Sequence, residues 1–152
     1  MASGNFTWSD RFPLDTGKIK DADVPKKKGI YSTYVVGPEE IVKAAGYVAG
    51  SEELVYVGAA WGKGGLRSRL GGRARSIKNV LPDEDDSGSN LCLEEKRLIR
   101  LGLSLECAFI SGATSKDEAL LWEGLMTDEY KDSHDGRRPP GMTRNPPRSK
   151  KP

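Results

Sequence analysis

The stretches of this chain able to form strands are short, few and closed by glycine, which limits the size of any sheet it can build. The clearest is Gly29-Ile30-Tyr31-Ser32-Thr33-Tyr34-Val35-Val36, a β-branched and aromatic run that Gly37-Pro38 stops. Leu54-Val55-Tyr56-Val57-Gly58 is the second, and Leu103 to Ile110 the third. Helical spacing fills the intervals. Pro38 to Gly50 holds a short helix candidate, and Gly62-Lys63-Gly64-Gly65 opens a segment with Leu66, Arg69, Leu70 and Arg73 at helical spacing. Gly71 and Gly72 weaken that helix by roughly 1 kcal/mol each, so it needs tertiary support or ends early. Leu91 to Leu101 reads as an amphipathic helix closed by Gly102. Ser115-Lys116-Asp117-Glu118 is a capping box, with Ser115 as N-cap and Glu118 returning the hydrogen bond, and it launches EALLWEGLMTDEY as a helix of about three turns.

At 152 residues, with 36% hydrophobic and 30% charged positions, the chain suits one soluble globular domain. No apolar run approaches the roughly 20 residues that span a bilayer, and MASGNFTWSDRF lacks a basic segment followed by an apolar one. A cytoplasmic protein with no membrane partner is the expectation. Residues 1–25 read as an irregular N-terminal arm that packs through its aromatics Phe6, Trp8 and Phe12. Cys92 and Cys107 read as buried free thiols, and His134, the only histidine, as a loop residue. Two cysteines and one histidine exclude a structural zinc site.

A net charge of +2 hides strong segregation. From Trp61 to Val80 the chain carries Lys63, Arg67, Arg69, Arg73, Arg75 and Lys78 with no acid, and the segment Arg137 to Pro152 is again basic. Asp83-Glu84-Asp85-Asp86 gathers the opposite sign in a polar loop. With Lys26, Lys27 and Lys28, these clusters make a polyanion the leading partner; the alternative is a solvated basic surface.

Individual residues admit two readings each. Glu123 lies within about 40° of the centre of the stripe Ala119, Met126, Tyr130, at 100° per residue. A carboxylate there is paired with an arginine or holds a cation such as Mg²⁺. Tyr31 and Tyr56 stand on one face of the sheet if their strands pair antiparallel, as packing residues or as chemistry. Arg69 and Arg73, one turn apart, are DNA-backbone contacts or clamps on a phosphoryl group. The glycine-rich loop at 62–65 only weakly resembles a phosphate nest and lacks P-loop order.

Gly29-Ile30-Tyr31, Tyr56-Val57-Gly58, Leu66-Arg67-Ser68-Arg69, Ala119-Leu120-Leu121-Trp122-Glu123 and an Asn in the basic tail resemble, in order, the motifs of the GIY-YIG nuclease family over roughly residues 26–146. The resemblance implies an α/β (α+β) domain over 26–146, a three-stranded antiparallel sheet flanked by helices, followed by a basic tail at 147–152. It implies a divalent-metal-dependent endonuclease hydrolysing phosphodiesters of double-stranded DNA with Mg²⁺ or Mn²⁺. Carried over by residue, Glu123 holds the metal, Tyr31 accepts a proton from the attacking water, Tyr56 orients the phosphate or the water, Arg69 stabilises the transition state and Asn145 completes the site. Lys26, Lys27, Lys28, Lys63, Arg67, Arg73 and Arg75 are the expected DNA contacts.

The chain departs from the family pattern in three places. An insertion at 37–53 is expected to touch DNA, Arg73 stands where a His or Tyr is often found, and HDGRRPPGMTR lengthens the path from Glu123 to Asn145. The pattern is most similar to the small stand-alone restriction-type members. The alternatives are a non-specific nuclease toxin, a phage or mobile-element nuclease, and a catalytically inactive DNA- or RNA-binding module. A double-strand cut by such a domain needs a homodimer or two sequential nicks.

Overall fold

The β-branched run after Lys27 becomes the centre of the sheet. The computed structural model describes residues 7–77, 80 and 91–142. The chain runs in the order β1 (Phe12–Pro13), α1 (Thr16–Asp21), β2 (Lys28–Val36), α2 (Glu39–Ala44), β3 (Leu54–Ala60), α3 (Gly65–Ile77), α4 (Leu93–Arg100), β4 (Ser104–Ala113) and α5 (Lys116–Asp132). The sheet is antiparallel throughout, in the order β1-β4-β2-β3. Helices on both faces bury β2 along most of its length, which accounts for its nearly continuous apolar composition.

The sheet therefore has four strands, where the sequence predicts three. The extra strand lies in the arm read as irregular: Phe12 pairs with Cys107 and Pro13 with Glu106. Ser9 N–H donates to Phe109 O at 2.9 Å and Leu14 N–H to Leu105 O at 3.0 Å. These bonds cover the outer edge of β4, which would otherwise present unpaired backbone groups. Two residues are too few to show alternation, and a proline argues against a strand except at an edge, where Pro13 sits. The arm does pack through two of its aromatics, with Phe12 edge-on to Phe109 at 6.2 Å and Trp8 against the α5 layer, while Phe6 lies outside the described residues. It also contains α1, capped by Asp15, whose Oδ1 accepts from Gly17 N–H at 2.9 Å.

Side chains sort by the alternation of β2. Tyr31 and Val35 point into the main core with Leu66, Leu70 and Ala74 of α3, Leu98 of α4 and Ile19 of α1. Ile30 joins Ala59, Ile110 and the α5 residues Ala119 and Leu120 on the other face. The tertiary support that α3 requires is thus present, and the helix continues through Gly71 and Gly72 to Ile77. At α5, Ser115 Oγ accepts from Glu118 N–H at 3.1 Å as expected. Glu118 returns its bond to Thr114 N–H at 2.6 Å, one residue before the cap.

The insertion at 37–53 belongs to the core. It buries Val42, Ala45 and Tyr47, and Tyr47 Oη donates to Glu94 at 2.6 Å while Arg97 donates to Ala45 O at 2.8 Å. It leaves the sheet where Val36 ends and Leu54 begins, the opposite end from Lys28 and Ala60. No helix among the described residues is long and apolar enough to cross a membrane.

Candidate active site

The register Tyr31↔Gly58 and Thr33↔Tyr56 makes the two phenols diagonal neighbours on one face, as antiparallel pairing predicts. Their ring centroids stand 6.2 Å apart. Gly58 is what permits this: a Cβ there would lie 2.5 Å from the Tyr31 hydroxyl oxygen and 2.8 Å from Tyr56 Cε2. Tyr31 is fully buried, and its hydroxyl accepts at 3.3 Å from Nε of Arg69, an exposed residue of α3. Burial first, and Tyr31 second, push the Tyr56 phenol well above its ordinary value of 10, against the pull of Arg73. Tyr56 is therefore a neutral hydroxyl, suited to hydrogen bonding rather than to accepting a proton.

One turn beyond Arg69, Arg73 has a different environment. Only 1% exposed, its guanidinium lies 5.1 Å from the Tyr31 ring centroid and 4.7 Å from that of Tyr56, and it is ion-paired with Glu95 of α4. Glu95 also accepts from Thr33 Oγ1 at 2.7 Å and from Cys92 N–H at 3.0 Å. The expectation that Arg73 contacts DNA is corrected: an ion pair sealed between α3, α4 and β2 cannot meet a phosphate on the surface. It fixes both phenols from beneath, placing a positive charge against their rings.

Glu123 of α5 is 7% exposed, and burial pushes its carboxyl up to about 7 while Arg69 pulls it down. Its charge also bears on Tyr56. α5 packs on the opposite face from the phenols, but β3 is the outer strand, with no further strand to separate the two faces there. Among the described residues no hydrogen bond or ion pair reaches the Glu123 carboxylate. A half-desolvated acid of this kind fits a cation, which would restore its ionised form. No group of three or more His, Cys, Asp or Glu converges among the described residues. Mg²⁺ held by one carboxylate, waters and phosphate oxygens does not require such a group.

The basic residues divide by position. Lys26, Lys27, Lys28 and Lys63 line an open groove of about 440 Å³, which shares Gly62 and Lys63 with a second groove of about 310 Å³ lined by Arg69 and Ser68. Arg67 is committed elsewhere: its Nε donates to Val24 O at 2.7 Å and its Nη2 to Asp23 Oδ1 at 3.1 Å, tying α3 to the loop before β2. Arg75 is exposed and lines neither groove. The loop at 62–65 is not a phosphate nest, because the first amides of α3 are occupied. Gly65 N–H donates to Gly62 O, Leu66 N–H to Lys27 O and Arg67 N–H to Pro25 O, at 3.0, 2.9 and 3.1 Å. Gly65 itself has φ of +57°, and a Cβ on it would lie 2.4 Å from Lys27 O, so glycine is required where α3 docks on the lysine run.

Asn145, the polar loop at 82–90 and the tail at 147–152 lie outside the described residues. The approach to Asn145 is described as far as Met142, and Gly141 N–H donates to Val55 O at 2.7 Å beside Tyr56. His134 stacks on Tyr130 at 3.7 Å and pairs with Glu52 at 3.3 Å, away from the phenols.

Sequence reasoning missed Glu95 and Thr33, yet the signal for Glu95 was present. Leu98 lies one turn after Glu95 on α4 and Leu91 just before the N-cap Cys92, so the spacing 91, 95, 98 already set Glu95 among apolar positions, a carboxylate beside an apolar face like Glu123. Of the two buried acids, Glu95 took the arginine and Glu123 did not. No protein-family model, curated protein or solved structure matches this chain.

Proposed function

We propose that this protein is a GIY-YIG-type endodeoxyribonuclease that hydrolyses double-stranded DNA with Mg²⁺ or Mn²⁺, with the stand-alone restriction type the favoured form. One observation carries the reading: Glu123, a buried carboxylate with no ion-pair partner among the described residues, lies in the field of the same arginine that hydrogen-bonds Tyr31. Glu123 would hold the metal, which when bound supplies positive charge to the phosphoryl oxygens. Arg69 is exposed and spends only its Nε on Tyr31, leaving its terminal nitrogens for charge that develops in the transition state.

Tyr31 is the proposed acceptor of the proton from the attacking water. Because it is buried in the free protein, this role requires Arg69 to swing onto the phosphate and uncover the hydroxyl. A 3.3 Å hydrogen bond gives way at small cost, and catalytic contacts in free enzymes commonly tighten only with substrate. Tyr56, a neutral hydroxyl, would orient the phosphate, and Asn145 would complete the site. Lys26, Lys27, Lys28 and Lys63 would receive the flanking backbone.

The test is plasmid incubated with protein and Mg²⁺ or Mn²⁺. Glu123→Gln, with its fold verified by circular dichroism, is expected to abolish cleavage, and cleavage that persists overturns the assignment. Discrete ends on sequencing support the restriction type, while scattered ends favour a toxin or another non-specific nuclease. The burial of Tyr31 favours a second reading, a nucleic-acid-binding module without catalysis, and DNA that shifts in a gel yet stays intact with every divalent ion selects it.

A further inference from the structure

Trp61 follows β3 directly and is 39% exposed, the single aromatic among the large exposed hydrophobic residues described. It lines the groove of about 310 Å³ that also holds Lys63, Ser68 and Arg69, a size at the lower end of the range for ligand sites. Lys116 Nζ, at the start of α5, stands 4.9 Å from the centroid of its ring. The loop after the indole is open, since a Cβ on Gly62 would meet no other part of the chain within 4 Å. An indole whose face is already taken by the Lys116 ammonium, in one groove with Lys63 and Arg69, matches a nucleotide: the phosphate goes to Arg69 and Lys63, and the base takes the place of Lys116 over the ring. A base inside an intact duplex is already covered on both faces, so only a base out of the stack can use this surface.

We infer that Trp61 is a stacking subsite for an unpaired base, so that duplex DNA carrying an unstacked nucleotide next to the phosphate held by Arg69 binds more tightly than the fully paired duplex. The placement relative to the cut rests on the nuclease reading, whereas the base subsite requires only binding. Stacking is sequence-tolerant, because every base has a π-face, so this subsite selects DNA form rather than sequence.

The experiment compares a duplex with a single-base bulge and the same duplex fully paired, in EDTA so that nothing is cut. The bulged duplex is expected to bind roughly tenfold tighter to the wild type and to quench tryptophan fluorescence. Trp61→Ala, with its fold checked by thermal melting, is expected to lose both effects. Trp61→Phe is expected to retain part of the affinity preference, with an unchanged salt slope because the phosphate contacts remain. Equal affinity of the wild type for both duplexes, or a preference that survives Trp61→Ala, overturns the inference. Should Trp61→Ala not fold, quenching that differs between the two duplexes in the wild type and vanishes in Trp61→Phe supports the subsite, and quenching unchanged in Trp61→Phe overturns it. The two proposals fail separately. A wild type that never cleaves yet shows the Trp61-dependent preference sinks the nuclease reading alone, and one that cleaves without the preference sinks the subsite alone.

Discussion

Burial raises the Glu123 carboxyl from its ordinary 4.5 to about 7, so within that window the folded protein holds a proton that the unfolded chain has released. Stability of the metal-free protein is therefore greatest below pH 4.5 as far as this group is concerned, and it falls as pH rises towards 7, by on the order of 3 kcal/mol. Urea unfolding across that range measures it, and Glu123→Gln is expected to remove the fall. Adding Mg²⁺ at pH 7 is expected to restore stability to the wild type and not to the variant. At Tyr31 the phenolic oxygen separates two roles. Tyr31→Phe keeps the ring against Arg73 and Tyr56 and loses one hydrogen bond, so stability is expected to change by about 1 kcal/mol or less while cleavage collapses. Near-normal cleavage by the folded variant would return Tyr31 to packing. Sequence periodicity was enough to single out Glu123 and to put the two tyrosines on one face. It could not tell that Arg69 and Arg73, one turn apart on the same helix, divide into an exposed group and a sealed one, because that depends on where α4 lies.

The junction of α3, α4 and β2 is held by the Arg73–Glu95 pair with Thr33 and the cap of Cys92. Removing one partner strands a buried charge, so Glu95→Ala is expected to cost about 3–5 kcal/mol in urea unfolding. The double variant Arg73→Met/Glu95→Met is expected to recover most of that loss. It is also expected to leave cleavage impaired, because the positive charge beneath the phenols is gone. A single-variant cost below about 1 kcal/mol would mean that the pair does not secure the helices. The elements themselves were readable where they were long or capped: β2, β3, β4, α4 and α5 lie near their expected positions. β1 and α1 were not, since two residues are too few to display a period and TGKIKD carries a single large apolar side chain, Ile19.

Across the whole molecule, positive charge faces one end of the sheet, where Lys26, Lys27, Lys28 and Lys63 share a groove that continues towards Arg69. Phosphate neutralisation there predicts salt-dependent DNA affinity. The triple variant Lys26→Ala, Lys27→Ala, Lys63→Ala is expected to weaken binding and to reduce the slope of log affinity against log salt by about 2–3. A slope that stays the same would move the DNA track elsewhere. The acid-free segment from Trp61 to Val80 suggested such a track, yet its members do not act together. Arg67 staples α3 to the preceding loop, Arg73 is internal, and Lys63 with Arg69 remains facing the grooves.

The sequence by itself determined where the chain can turn and what must be hidden: β-branched runs stopped by glycine, helices opened by Ser115 and closed by Gly102, and a carboxylate on an apolar stripe. These are local properties, set by backbone sterics, capping and side-chain periodicity. The tertiary structure alone decided which charge met which. Glu95 and Glu123 are equivalent as sequence, each an acid among apolar neighbours. Packing of α4 over Tyr31 and Tyr56 gave Arg73 to Glu95, while α5 on the opposite face left Glu123, among the described residues, in the field of Arg69 without an ion pair. Such pairing depends on distances between elements far apart in the chain, which no spacing within a single element encodes.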